Sequence, residues 1–290
     1  MAQATNSGER LGAAGLVMLG VVSVQLGSAV ATTVFDELGP GGAVFLRTLF
    51  AAAVLLAIWR PVAGMLRGST LRDVVAFGVV LAGMNCFFFL ALDRLPLGIA
   101  VTLEFVGPFA VAVATSRQRR DLVWVGFAAA GILLLAPGIG DGLDPLGVTF
   151  ALVAGAFWGA YILLSSRVGR GPSGRAGLAT AMGIATVVLI PIGIADGGAS
   201  LLDPGLLALG GAIAMLSSAI PYLAEMEALR RLPAGTFGIL LSMEPAFAAL
   251  VGFVALDQSL PARELVAIGL IVVASAGALS TEPAIEAAEA

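Results

Sequence analysis

The sequence predicts an all-α integral membrane fold of ten transmembrane helices, arranged as two inverted five-helix repeats. Three observations lead there. The composition is too apolar for a water-facing surface, apolar runs of bilayer-spanning length recur along the chain, and one segment is repeated five helices further on.

Of 290 residues, 59% are apolar and 12% charged, whereas a soluble domain carries about 25% charged residues. Mean hydropathy is +1.02. Such a chain cannot cover itself with polar groups, so the lipid bilayer is its solvent. Its 38 glycines suit helices that approach closely in lipid. All 15 basic residues are Arg, and there is no His. That excludes His-based metal sites and imidazole proton relays. A single cysteine, Cys86, excludes an intramolecular disulfide and a Cys-rich metal site. No basic stripe points to nucleic acid. A phosphate-binding loop of the form GxxxxGK[ST] needs a Lys, and none exists. No metal and no cofactor is implied.

A helical span takes about 20 mostly apolar residues. Runs of that kind cover residues 12–33, 41–59, 73–92, 97–115, 122–137, 146–165, 177–195, 205–228, 235–255 and 264–280. Breakers separate them: Gly39-Pro40-Gly41-Gly42, Leu95-Pro96, Asp144-Pro145, Gly171-Pro172-Ser173-Gly174, Asp203-Pro204, Leu232-Pro233 and Leu260-Pro261. The two repeats are residues 12–137 and 146–280, and the Ala/Glu-rich residues 281–290 read as a disordered cytoplasmic tail. The first run also fits a signal peptide cleaved after Ala29-Val30-Ala31. Cleavage would leave nine spans and break the repeat, so the run is read as a helix.

Arginine placement sets the orientation, because basic residues stay in the cytoplasm. With the N-terminus inside, the cytoplasmic segments hold Arg10, Arg60, Arg67, Arg72, Arg117, Arg119, Arg120, Arg167, Arg170, Arg175, Arg230 and Arg231. Only Arg94 and Arg263 fall outside, and Arg47 lies within a span. Both termini are therefore expected in the cytoplasm.

The repeat is direct. Residues 91–112 read ALDRLPLGIAVTLEFVGPFAVA, and residues 228–249 read ALRRLPAGTFGILLSMEPAFAA. At an offset of 137, Ala91/Ala228, Arg94/Arg231, Pro96/Pro233, Gly98/Gly235, Leu103/Leu240 and Pro108/Pro245 are among the identities. The first copy joins spans 3 and 4, the second spans 8 and 9. A five-helix unit is odd, so its second copy enters the membrane upside down. Inverted repeats around a central site are a recurrent carrier design; they occur in channels too.

An ionisable residue within a span costs about 2.5–3.5 kcal/mol on insertion scales and usually faces a cavity or a partner. Arg47 lies in span 2. Glu104 lies in span 4, about 10 Å from its start at 1.5 Å per residue. Glu244 sits deepest, about nine residues into span 9. The repeat equivalent of Glu244 is Gly107, one turn from Glu104. Both acids precede a proline, Pro108 or Pro245, which frees an upstream carbonyl. Glu225 and Glu227 lie near the end of span 8, two apart and so on different faces; Glu225 is assigned to the interior. Gln25, Asn85, Trp158, Tyr161 and Tyr222 are the neutral polar candidates. For each the plainer role is structural: snorkelling for Arg47, a hydrogen-bonded carboxyl for the acids, an interface anchor for the aromatics.

At these residues the sequence resembles the threonine/homoserine exporter group of the EamA-type drug/metabolite transporters. The runs PLGIAVTLEFVGP, ALRRLPAGTFGILLSMEPAFAALVGF and SSAIPYLAEM carry the resemblance, with FLRTL around Arg47 and AGMN ending at Asn85. It extends from about Val17 to Ala278. It implies two inverted EamA repeats in the bacterial inner membrane and export of amino acids. Arg47, Asn85, Glu104, Trp158, Tyr161, Glu225 and Glu244 match the family's runs and are the expected substrate-binding residues. Thr32 stands where relatives often carry Lys, and Glu227 where they carry an apolar residue.

An amino acid needs one cation and one anion around it. Arg47 with Glu104, Glu225 or Glu244 supplies that pair. Proton antiport needs a carboxyl that exchanges a proton within the membrane, for which Glu244 and Glu104 are the candidates; uniport is equally compatible. The alternative is an EamA-type carrier of another metabolite or drug. A lipid-modifying enzyme would need a nucleophile–base pair or metal ligands, and no such cluster is visible in the sequence. No feature of the sequence encodes an oligomeric state.

Overall fold

A computed structural model describes residues 7–60, 68–115, 121–135, 143–168, 174–229, 237 and 240–281. Among these residues all regular structure is helical. The helices are α1 (Ser7–Thr32), α2 (Phe35–Ile58), α3 (Gly68–Leu92), α4 (Leu97–Glu104), α5 (Val106–Thr115), α6 (Asp121–Leu135), α7 (Pro145–Val168), α8 (Gly174–Gly197), α9 (Pro204–Ala214), α10 (Ile220–Leu229), α11 (Glu244–Leu256) and α12 (Ala262–Thr281). A short 3-10 turn, Gly198–Leu202, follows α8, and a π turn, Met215–Ala219, joins α9 to α10. Among the described residues five stretches are long and apolar enough to span a bilayer: Leu11–Thr32, Phe35–Ile58, Leu71–Leu92, Pro145–Ser165 and Arg175–Leu202. Shorter apolar helices make up the rest.

The helices pack as a ring. Going round it, α1 packs on α10, α9 on α2, α2 on α8, α8 on α3, α3 on α7, α7 on α4, α4 on α11, and α11 back on α1. Helices α6 and α12 pack on each other outside the ring, against α5. Large side chains such as Phe77, Phe89, Leu38, Leu81 and Leu103 are fully buried between ring members.

Two Asp-Pro dipeptides, expected as connections, are helix starts. Asp203 accepts from the Gly205 and Leu206 amides at 2.8 and 3.0 Å with Pro204 in the first turn. Asp144 accepts from the Leu146 amide at 2.8 Å ahead of α7. Such a side chain satisfies amides that lack an intrahelical partner, and proline at the first position loses nothing. Asp144 also pairs with Arg94 at 2.8 Å, tying the α3–α4 turn to α7.

Three expectations need correction. Gly39-Pro40-Gly41-Gly42 is not a connection between spans. It lies inside α2, which begins at Phe35 and kinks at Gly39, where φ is +64° and ψ 164°. Only glycine adopts that backbone freely. Beyond the kink, the Gly41 amide donates to Asp196 Oδ2 on α8 at 3.0 Å, so a side chain from another helix caps the restart. The fourth and ninth spans are not continuous helices either. The fourth breaks at Phe105, between α4 and α5, and the ninth at Ser242–Met243, before α11. Glu244 therefore opens a helical segment instead of sitting nine residues into one. The expected tail, apart from Thr281, and the cytoplasmic Arg60–Arg72 connection, apart from its ends, lie outside the described residues, as does most of the second copy of the repeat before Leu240.

Candidate functional site

Arg47 projects from α2 toward the π turn. Its Nη2 donates to the Ser217 carbonyl at 3.3 Å, and its guanidinium carbon lies 5.3 Å from the centre of the Phe89 ring on α3. That carbonyl is available for a reason written in the sequence. In an α-helix it would accept from residue 221, but Pro221 has no N–H. The carbonyl before it is also released, because the Ile220 amide reaches back five residues to Met215 and not to Leu216. Ser23 on α1 takes the Leu216 carbonyl through its hydroxyl at 2.7 Å. One π turn thus presents two carbonyls, one held by α1 and one by the Arg47 cation. π turns inside α-helices concentrate at functional positions.

Glu104 is the last residue of α4 and is buried. The Arg47 charge is close enough to act on its carboxyl. Pro108 removes the amide that would have bonded the Glu104 carbonyl, and the chain breaks at the next residue, Phe105. There α7 crosses very closely. A Cβ on Gly155 would lie 2.6 Å from the Glu104 carbonyl oxygen, and one on Gly107 would run into the Gly155 carbonyl. Only glycine at both positions permits that approach. Trp158, half-buried on α7, sets its ring edge-on to Phe105 with centroids 5.3 Å apart. The Glu104 backbone is thereby held at a close crossing, beside the Phe105–Trp158 ring pair.

Asn85 is buried on α3, one turn before Phe89 on the same face. Its amide donates to the Leu81 carbonyl at 2.8 Å. Tyr161 packs on Phe77 of α3, with ring centroids 5.2 Å apart. Phe77 lies about 12 Å along α3 from Asn85 at 1.5 Å per residue. Glu244 is buried at the start of α11, which packs on α1 and α4. Glu225 lies on α10; its side chain, like that of Tyr222, lies outside the described residues. Arg47 and Asn85 thus lie at Phe89, Glu104 and Trp158 at Phe105, and Tyr161 of α7 against Phe77.

Phe89, Phe105, Ser23, Ser217 and Gly155 belong to this region and were not singled out from the sequence. One signal was available: a Ser four residues before Pro221 marks a released carbonyl. The others depend on which helix faces which. Apart from the ring interior, a shallow apolar groove of about 350 Å³ lies between α11 and α12, lined by residues such as Phe253, Gln258 and Leu265. It carries no charged side chain. Among the described residues no cluster of acidic, Cys or His side chains suits a metal ion.

Comparison with known proteins gives these features a context. Residues 145–280 match the sequence profile of the EamA-like transporter family. Over 269 residues the chain is 39% identical to the threonine/homoserine exporter RhtA of Escherichia coli K12, a match covering 92% of this chain and 90% of that one. The chain belongs to the EamA-like transporter family. Over the same length it is 38% identical to RhtA of Salmonella typhimurium LT2. A protein of known crystal structure, 20% identical, shares the fold with a TM-score of 0.61 over 92% of this chain and 96% of that one. The present chain is thus a membrane transporter whose named relatives are exporters, not enzymes.

Proposed function

We propose that this transporter exports small amino acids of the threonine and homoserine kind across the bacterial inner membrane by alternating access, with proton antiport as the coupling. The observation that carries the reading is the cation and carboxyl inside the ring. Arg47 Nη2 donates to the Ser217 carbonyl at 3.3 Å, and Glu104 lies within the field of its charge. A substrate carboxylate offers a guanidinium a charge-assisted, bidentate bond about twice as strong as a neutral one. Glu104, Glu244 or Glu225 then faces the ammonium. Asn85, Trp158 and Tyr161 complete the path, and Glu104 and Glu244 are the carboxyls that exchange protons.

Alternating access is supported by symmetry. Exchanging each helix for its counterpart in the other half (α1 with α7, α2 with α8, α3 with α9–α10, α4–α5 with α11) turns the order of packing round the ring into itself. The breaks at Phe105 and Ser242 are also 137 residues apart, the offset of the sequence repeat. Both support ten spans in two inverted repeats with a shared central site, while the arginine distribution supports both termini in the cytoplasm.

The test is efflux from cells preloaded with labelled threonine or homoserine, with and without the protein. Faster efflux is expected, abolished by Arg47→Ala in protein that still inserts. Normal efflux in that variant would refute the role of Arg47. Efflux that ignores a collapsed pH gradient would refute antiport.

A further inference from the structure

Two buried polar atoms on α1, Gln25 Oε1 and Ser28 Oγ, have no hydrogen-bond partner among the described residues. Gln25 is 1% exposed and its Oε1 accepts nothing; Ser28 is 1% exposed and its Oγ makes no hydrogen bond. This is unusual within the same molecule. Thr48, Thr102, Thr180 and Thr186 each bond back to a carbonyl four residues earlier, and Asn85 does the same. A serine in a helix has that bond within reach, and Ser28 does not take it. Leaving a buried polar group unmet is unfavourable. Arg47 belongs to the site already described, and the remaining atoms of this kind differ. Ser217 Oγ is pressed against Gly27 in a tight helix contact, and Trp124 and Ser275 lie on α6 and α12, outside the ring.

The position of the pair is set by the helix. Ala13, Val17 and Val21 form a buried stripe of α1 that packs with Phe237, Leu240, Leu241 and Phe247, the residues on either side of Glu244. Gln25 extends that stripe one turn beyond Val21, and Ser28 a further turn. Residues three apart on a helix have Cβ atoms about 5–6 Å from one another, close enough for one oxygen to meet both polar ends. Gln25 Oε1 needs a donor, and the Ser28 hydroxyl can donate. One hydroxyl group supplies both roles, since it donates one bond and accepts another. A methyl group supplies neither. On its opposite side α1 holds the Leu216 carbonyl through Ser23, next to the carbonyl that anchors Arg47.

We infer that Gln25 and Ser28 read the side-chain hydroxyl of the transported amino acid, and so set its preference for hydroxylated over isosteric aliphatic substrates. The inference rests on the amino-acid reading above and deepens it. Carboxylate, ammonium and hydroxyl are then recognised by different elements: Arg47, an intramembrane glutamate, and the α1 stripe. A site built around a substrate hydroxyl discriminates strongly, because the analogue leaves its polar groups unmet.

Threonine and valine differ by hydroxyl against methyl at constant shape, as do homoserine and norvaline. Half-saturating concentrations for all four are measured by efflux or counterflow in wild type, Ser28→Ala and Gln25→Met. Wild type is expected to prefer threonine and homoserine. Each variant should lose about tenfold of the threonine/valine ratio, with valine unchanged or tighter. Ser28→Ala removes one atom from a helix and keeps the test valid if Gln25→Met inserts poorly. An unchanged ratio in inserted protein, or an equal loss for both substrates, overturns the inference and leaves the amino-acid reading intact. A wild-type protein that moves none of the four overturns both.

Discussion

Gly155→Ala adds one methyl group where α7 crosses the break after α4. The new Cβ would sit 2.6 Å from the Glu104 carbonyl oxygen, 3.2 Å from its carbon and 3.3 Å from its Cα. Carbon and oxygen in close contact are normally about 3.3 Å or more apart, so the overlap is about 0.7 Å. The obstacle is backbone, which cannot swing away like a side chain. Sliding gives no escape, because Gly107 is already wedged against the Gly155 carbonyl. The helices must separate, at a cost of about 1–3 kcal/mol for overpacking of this kind. The separation also shifts Glu104 and its wall Phe105–Trp158 relative to Arg47. Displacements of about 1 Å at a working site cost up to about a hundredfold in rate. The expected result is a thermal midpoint in detergent lowered by several degrees and threonine efflux reduced at least tenfold. Gly126→Ala and Gly269→Ala are the controls. Nothing lies within 4 Å of either added Cβ, and alanine is about 1 kcal/mol better than glycine within a helix, so both should be neutral or slightly stabilised. A Gly155→Ala protein with wild-type midpoint and efflux would refute the reasoning.

Pro221→Ala restores an amide that takes the Ser217 carbonyl from Arg47; the half-saturating threonine concentration should rise about tenfold at equal expression, and no change would show the carbonyl to be irrelevant. Gly39→Ala forces an L-residue into a glycine-only backbone and against Asp196, 2.9 Å from its Cβ; it should destabilise by about 1–3 kcal/mol, read as a lower detergent midpoint, and an unchanged midpoint would refute it. The hydrogen bond from Arg94, followed by that from the Leu146 amide, holds the Asp144 carboxyl below the ordinary aspartate range. A depressed native pKa means stability that is present at neutral pH and lost as pH falls below about 4. Thermal melts from pH 6 to pH 3 should therefore show a shallower acid loss in Asp144→Asn, and identical slopes would show the exposed pair to be inert.

Composition and run length were enough to read a helical membrane protein, because lipid demands apolar helices whatever they touch. The acids beside Pro108 and Pro245 were legible for a local reason: proline releases a carbonyl wherever it sits. The break positions were less so. Phe105 and Ser242 lie three residues before their prolines, and nothing in either residue type forbids a helix. Gly39–Gly42 misled because four breakers in a row read as a loop, whereas the cap that restarts the helix comes from Asp196 on α8. The same limit hid Phe89 and Ser217 around Arg47. Which carbonyl and which ring a buried cation finds depends on helix rotation, and the sequence periodicity of an almost wholly apolar helix says little about rotation.

The Asp196 contact has a consequence for how the protein is made. Gly41 and Asp196 are 155 residues apart in the chain. At about 5–20 residues per second of synthesis, α2 enters the membrane about 8–30 s before its partner exists. During that interval the amide beyond the kink has no carboxylate to meet, and α2 has no α8 along its flank. The first half of the chain is therefore an incomplete assembly during biogenesis, finished from outside by a residue of the second. Co-expressed halves divided in the connection between α6 and α7 would have to find each other before α2 could settle, and a first half made alone would be a substrate for membrane proteolysis.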